Sequence, residues 1–488
     1  MILPGEDVLV LGAVPAGLTA ALHLAQRGRG VTVIERENLV GGLARTEERD
    51  GFRFDLGGHR FFTKHPEVQA LWEEILGDDL LLRPRLSRIR YGGRMFAYPL
   101  EAGDVVRNLG PWELSRALGS YLRARTSTGE TETFEEWVTQ RFGRRLYDMF
   151  FSTYTEKVWG VPGSELRAEW AAQRIRGLSF GKAMMAAFRG VEDDASGSLR
   201  SLVGEFHYPR LGPGQMWEAM RDRVEALGGR VLTGTPVSGV EIADGSVVAV
   251  QTPTERFPAA AVISSLPLAS IAGVAQPSVP ASVAAAAGGL RYRDFLTVAL
   301  ILDGPDPFPD TWIYVHEPGV RVARIQNFRA WSPAMVPDAT ASCIGLEYFC
   351  FEGDELWRTD DSTLIELAAR ELDTLGFGGG VRCGHVVRVP HAYPIYDETY
   401  AARVAVLREW VGSVDGLQQI GRNVLHRYNN LDHSMLTAAR AVENLCDDAG
   451  HDVWAVNADS WYHEELNVDE ASPYLDTPDA PALQGTIA

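Results

Sequence analysis

Cysteine is scarce in this 488-residue chain: Cys343, Cys350, Cys383 and Cys446 stand apart, without C-x-x-C spacing. That argues against a disulfide framework or a cysteine-rich zinc site, and reduced structural thiols are expected. Positive charge is also short, with 46 Lys and Arg against 65 Asp and Glu and a net charge of −19. A surface of that sign disfavours nucleic acid and anionic membrane as partners. No basic start leads into an apolar core, and the small-residue stretch 259–289 is broken by Pro267, Pro277 and Pro280. A cytoplasmic protein without an integral membrane segment is expected. Zinc-type HExxH spacing and a GxSxG elbow are missing too, so neither a metal nor an acyl-transfer triad is expected.

The chain is 45% hydrophobic, enough to bury a large core in two or three domain-sized units. Its first pattern, DVLVLGAVPAGLTAALHLAQRGRGVTVIER from Asp7, reads as strand, glycine turn, helix and second strand. Gly12 and Gly17 occupy the first and third places of GxGxxG, and Glu35 ends the second strand, where a carboxylate meets a ribose. Val14 occupies the middle place. Glycine there lets backbone approach a pyrophosphate at the helix N-terminus, so a β-branched side chain is expected to crowd that ligand. The run Gly41-Gly42-Leu43-Ala44-Arg45-Thr46 follows, with paired glycines for close backbone approach and Arg45 placed to meet a diphosphate.

Further along, 51–62 reads as a short strand pair returning to the sheet, and 67–76 and 216–227 have helical spacing. The span 104–188 is mostly helical in pattern, and alternating runs between 290 and 389 predict a mostly antiparallel sheet. A last helix is expected over 432–445 with Asp432 as N-cap, and the tail after 475 is expected to be loose.

Gly12, Gly17, Glu35 and the GGLART run together resemble the extended FAD fingerprint of the amine oxidase and protoporphyrinogen oxidase superfamily. The segments 55–62 (DLGGHRFF) and 154–160 (YTEKVWG) are similar to the UDP-galactopyranose mutase branch. The similarity continues through 208–214, 290–293, 324–328 and 345–349 and ends at 421–432. The resemblance implies an α/β fold with a discontinuous Rossmann-like FAD-binding domain of glutathione-reductase type. An inserted helical lobe and a mostly antiparallel substrate domain complete it. The corresponding boundaries are 1–76, 207–275 and 396–475 for the FAD-binding parts, 77–206 for the lobe, 276–395 for the substrate sheet and 476–488 for the tail.

The same resemblance implies FAD held by Gly12, Val14, Ala16, Gly17, Glu35, Arg36, Gly42, Leu43, Ala44, Arg45, Gly57, Gly58, His59, Val237, Gly421, Leu431, Asp432 and Ser434. It implies catalytic roles for His59 and Tyr428, and substrate contacts from Lys157, Trp159, Arg291, Arg324, Tyr348 and Tyr393. Arg293 and Arg388 lie on the same substrate segments. The expected function is FAD-dependent oxidation or reduction of a polar metabolite of sugar or sugar-nucleotide type in glycan or natural-product biosynthesis. A non-redox sugar mutase is one alternative. Val14 and Val424 both stand where relatives usually carry glycine, and they raise another: weakened FAD binding, or a flavin-free pseudoenzyme or cofactor-independent enzyme on the same fold.

Overall fold

The computed structural model describes residues 7–456 apart from 99, 101, 127–128, 130, 169–203 and 427–428. At its centre lies a five-stranded parallel sheet in the order Leu417–Gln419, Ala261–Ser264, Asp7–Leu11, Gly30–Ile34, Arg230–Leu232. Val8, Val10, Val33, Val262 and Ile263 are fully buried there. Apolar residues run consecutively because a parallel sheet is covered on both faces. The strands come from three separate stretches of chain, as the discontinuous reading expects.

The first helix, Pro15–Gln26, starts with proline at its first position, where a missing N–H costs nothing. It packs against the helices Gly214–Ala226 and Leu431–Asp447. Gly17 makes its approach to the sheet possible: a Cβ there would lie 1.9 Å from the Gly12 carbonyl oxygen. The last helix begins at Leu431, and Asn430 rather than Asp432 precedes it. Asp432 lies inside its first turn, where Oδ2 accepts from Thr63 Oγ1 at 2.9 Å.

A seven-stranded sheet forms the second layer, with Gly380–Pro394 at one edge, then Tyr292–Asp303, Ala341–Cys350, Arg324–Asn327, Trp312–Val315, Ser87–Tyr91 and Arg94–Ala97. All neighbours are antiparallel except Trp312–Val315 with Ser87–Tyr91. The last two strands lie in the span 77–206 expected to be helical. Their short polar-rich alternation, SRIRY and RMFA, is a weak strand signal until the long sheet supplies a partner. Helices Ala102–Ala124, Phe134–Phe142 and Thr153–Trp159 follow them and pack over one end of this sheet.

The strand pair expected over 51–62 forms an isolated hairpin, Thr46–Arg49 with Phe52–Asp55, and does not join the parallel sheet. Asp50 and Gly51 both adopt positive φ at its turn, the backbone a two-residue hairpin loop requires. The tail 476–488 lies outside the described residues. Among the described residues no helix is long and apolar enough to cross a membrane.

Candidate active site

A cavity of about 460 Å³ lies between the parallel sheet, the antiparallel sheet and the helical lobe. At one end its wall is the first turn of the first helix, Val14-Pro15-Ala16, with Leu43, Ala44 and Ser265. Gly12, with φ 95°, has room for no side chain because a Cβ would meet Ser265 Oγ at 2.3 Å. No side chain caps the helix start at Val14, which leaves a positive helix end facing the cavity.

The middle of the wall is Gly57-Gly58-His59 on one side and Gly421, Leu431 and Ser434 on the other. Gly57 needs its positive φ of 90°, and a Cβ there would meet nothing nearer than 3.9 Å. His59 Nε2 lies 2.8 Å from the Leu43 carbonyl and 3.1 Å from the Leu56 carbonyl. Carbonyls only accept, so Nε2 carries the proton and Nδ1 holds the lone pair. Burial pulls the His59 pKa down to about 4, with Arg422 and Arg324 adding to it against the two carbonyls. The ring is neutral at pH 7 and is an acceptor through Nδ1, not a proton donor.

Beyond His59 the cavity opens into an aromatic chamber. Tyr98, Tyr154, Trp312, Tyr314 and Tyr393 line it. Tyr98 and Tyr314 have ring centroids 4.5 Å apart, and Tyr154 stacks on His316 at 4.7 Å. Burial and the neighbouring Lys157 hold the His316 pKa down to about 3. Burial raises the Tyr154 pKa well above its ordinary value, so its phenol stays protonated. No carboxylate occurs among the described wall residues.

The expected residues fall into two groups. Val14, Ala16, Leu43, Ala44, Gly57, Gly58, His59, Gly421, Leu431, Ser434, Arg324 and Tyr393 are wall residues. Gly12, Gly17 and Gly42 shape the wall through backbone. Val14 stands beside Gly42, where an added Cβ would come within 2.5 Å of Val14 Cγ1, so position 42 has no room for a side chain between the helix start and the GGLART turn.

Others are placed elsewhere. Arg45 is not on the wall, because Nε pairs with Glu47 Oε1 at 2.7 Å and Nη1 donates to the Gly42 carbonyl. Glu35 is buried, with Oε2 accepting from Ala13 N and Oε1 from Glu37 N. Arg36 is exposed and pairs with Glu37, and Val237 packs on the hydrophobic cluster beneath the parallel sheet. Lys157 Nζ donates to the carbonyls of Val315, Glu317 and Val322, which ties the helical lobe to the sheet. Trp159 is buried and meets Tyr393 edge-on at 6.3 Å, behind the wall. Tyr348 is fully buried on the far face of its strand, in the cluster with Leu364 and Leu372. Arg291 is exposed over the Phe351 ring.

Arg293 binds the carbonyls of Val158, Lys157 and Phe349, and Arg388 binds Asp361 and two backbone carbonyls. Arg324 reaches the cavity but pairs with the fully buried Glu347 at 2.5 Å. Val424 is fully buried and absent from the described wall, so only one of the two valines reaches the cavity. Tyr428 lies outside the described residues. Tyr98, Tyr154, Trp312 and His316 were not anticipated as wall residues; the alternation WIYVH marks a strand but not which of its faces is lined by a cavity.

Residues 15–403 match the family described as flavin containing amine oxidoreductase. The chain belongs to that family. A probable UDP-galactopyranose mutase of Klebsiella pneumoniae is 29% identical over 172 residues, 33% of this chain and 43% of that protein. A chloroplastic and chromoplastic 15-cis-phytoene desaturase of Narcissus pseudonarcissus is 27% identical over 258 residues, 50% of this chain and 44% of that one. The matches thus span less than half the length of these two relatives. A solved reduced UDP-galactopyranose mutase superposes with a TM-score of 0.81 at 20% identity, covering 94% of this chain and 99% of that chain. At that identity the likeness is one of fold.

The wall is compatible with a flavin. A broad glycine-lined middle offers space for a planar ring, two helix starts border it, and Asn423 presents a buried Oδ1 without a hydrogen-bond partner. Val14 lies at the helix start, where the diphosphate of a dinucleotide would pass.

Proposed function

We propose that the protein is an FAD-dependent oxidoreductase whose substrate is an uncharged organic molecule with a ring face, a neutral glycosyl ring included. FAD, when bound, would supply a two-electron acceptor for hydride. Leu43, Ala44, Gly57, Gly58, Gly421, Leu431 and Ser434 would hold its ring system, and Val14 and Ala16 would flank its diphosphate. His59 Nδ1 would accept a hydrogen bond from the bound ring or substrate while Nε2–H fixes the loop to Leu43. The aromatic rings of Tyr98, Tyr154 and Tyr314 would orient the substrate by stacking and keep water out.

The observation that carries this reading is the character of the wall, glycine-lined in the middle and aromatic at the far end, without a described carboxylate. It speaks against a cationic amine and for a substrate that presents a ring face. A nucleotide diphosphate calls for guanidinium groups converging on it, and of the four arginines expected on the substrate segments only Arg324 reaches the wall, where it pairs with Glu347. Arg60 and Arg422 add positive charge at the wall, each lying over an aromatic ring.

The test is an absorption spectrum of the purified protein, FAD titration, and anaerobic mixing with neutral glycosides and aromatic alcohols. Bleaching of bound FAD by such a substrate supports the reading. Turnover of a sugar nucleotide only after dithionite reduction, without net redox change, would replace it with the mutase reading. A protein that takes up no FAD would leave the flavin-free alternative.

A further inference from the structure

Away from the cavity, the turn of the hairpin Thr46–Arg49/Phe52–Asp55 comes against the edge strand Gly380–Pro394. Side chains on a strand alternate, so Cys383 and His385 share one face. Gly384 between them faces the helix Asp361–Thr374, where an added Cβ would meet Ile365 at 2.8 Å. The His385 ring is held by stacking on Phe54, 6.2 Å between centroids and 10° from parallel. Asp50 Oδ2 approaches His385 Nε2 to 3.7 Å. A carboxylate oxygen, the thiol sulfur and an imidazole nitrogen lie within 4.8 Å of one another.

His385 Nε2 is buried without a hydrogen-bond partner, a condition that calls for an explanation in a folded protein. Arg382, next along the strand, does not supply one, because it pairs with Asp303 and Asp338. A second cluster, His65, Asp432 and His433, differs in this respect. Its atoms serve the start of the last helix: Asp432 accepts from Thr63 Oγ1 and His433 N, and His433 Nδ1 accepts from Asn430 N.

We propose that Asp50, Cys383 and His385 form a binding site for a zinc-type divalent cation, with water completing a four-coordinate shell. Metal–ligand bonds of about 2.0 Å to oxygen and nitrogen and about 2.3 Å to sulfur set ligand separations of roughly 3.3–3.5 Å. The three donors reach that spacing by side-chain adjustment, and Asp50 is exposed and free to make it. On binding, the Cys383 thiol loses its proton to solvent and the thiolate bonds the metal. A dication between thiolate and carboxylate attracts both. Occupancy ties the hairpin turn to the sheet edge, five residues before Asp55, where the chain enters the Gly57–His59 cavity wall.

The experiment uses the full chain and Co²⁺, whose thiolate charge-transfer absorption reports a sulfur ligand. One equivalent of Co²⁺ is expected to bind, to be displaced by Zn²⁺, and to show that absorption. Cys383→Ser is expected to abolish it, and Asp50→Asn and His385→Gln to weaken binding at least about tenfold, while His65→Gln leaves it unchanged. Circular dichroism identifies any variant that fails to fold. Independently of any variant, Zn²⁺ is expected to protect Cys383 of the native chain from alkylation by iodoacetamide, read by peptide mass spectrometry. Absence of saturable binding, absorption that survives Cys383→Ser, or unprotected Cys383 at saturating Zn²⁺ overturns the proposal.

Discussion

At the helix end of the cavity the wall is made by backbone, and at the sheet end by side chains. Gly12, Gly17, Gly42, Gly57 and Gly421 matter for the atoms they lack, so their place in a spacing pattern carries most of their meaning. Arg324, Glu347, Tyr154 and His316 matter for what they touch, and spacing says nothing about their partners. A glycine motif therefore transfers to structure nearly intact. An arginine on a substrate strand does not, because buried ion pairs and carbonyl contacts compete for it with any ligand.

The sharpest break of this contrast is at the sheet end. Glu347→Gln removes the carboxylate facing buried Arg324 and is expected to cost about 3–5 kcal/mol of stability, measured by urea denaturation. A loss below 1 kcal/mol, in the same approximate terms, would mean that Arg324 is free to serve a ligand after all. At the helix end, Gly17→Val drives a side chain into the Gly12 carbonyl. It is expected to cost about 3 kcal/mol and to prevent FAD uptake, read by flavin absorbance of the purified variant.

Acid probes both ends at once. His59 and His316 have pKa values lowered from 6.5 to about 4 and about 3, chiefly by burial. The unfolded chain takes up protons that the folded chain refuses, so this stability is fully present above pH 6.5 and is lost as pH falls toward 4. Each group contributes at most about 1.4 kcal/mol per pH unit. Thermal melts from pH 7 to pH 4.5 are expected to show a steep fall that becomes shallower in His316→Phe. An unchanged slope in that variant contradicts the assignment.

Val14→Gly is the smaller test. Relief of the crowding at the helix start is expected to tighten FAD binding about tenfold, ~1.4 kcal/mol, by titration; equal affinity refutes the crowding argument. Arg291→Ala closes the series, with a change under about 0.5 kcal/mol expected in stability and none in substrate affinity. A large rise in KM there would return Arg291 to the site.

Much of the architecture was readable in advance. The DVLVL and GVTVI strands, the intervening helix and the AVIS strand announce themselves by unbroken apolar runs and 3.6-residue spacing. Ser87–Tyr91 and Arg94–Ala97 did not, since their strand character depends on the neighbour they pair with. Asp432 has the residue type of a helix cap, but the backbone leaves the extended region two residues earlier, at Asn430, which is also a favoured capping residue.

By itself the sequence determined the sheet order's raw material, the glycine turn with its valine, and the family likeness, because these depend on local backbone geometry and the periodicity of burial. Only the tertiary structure decided which side chains face the cavity. Tyr348 and Arg324 lie on neighbouring strands of one sheet, yet one is buried against a helix and the other reaches the wall. The reason is that a strand offers each residue one of two faces, and what covers each face is set by other chain segments, the nearby helix Asp361–Thr374 for Tyr348 and the distant segments at 57–62 and 98–155 for Arg324.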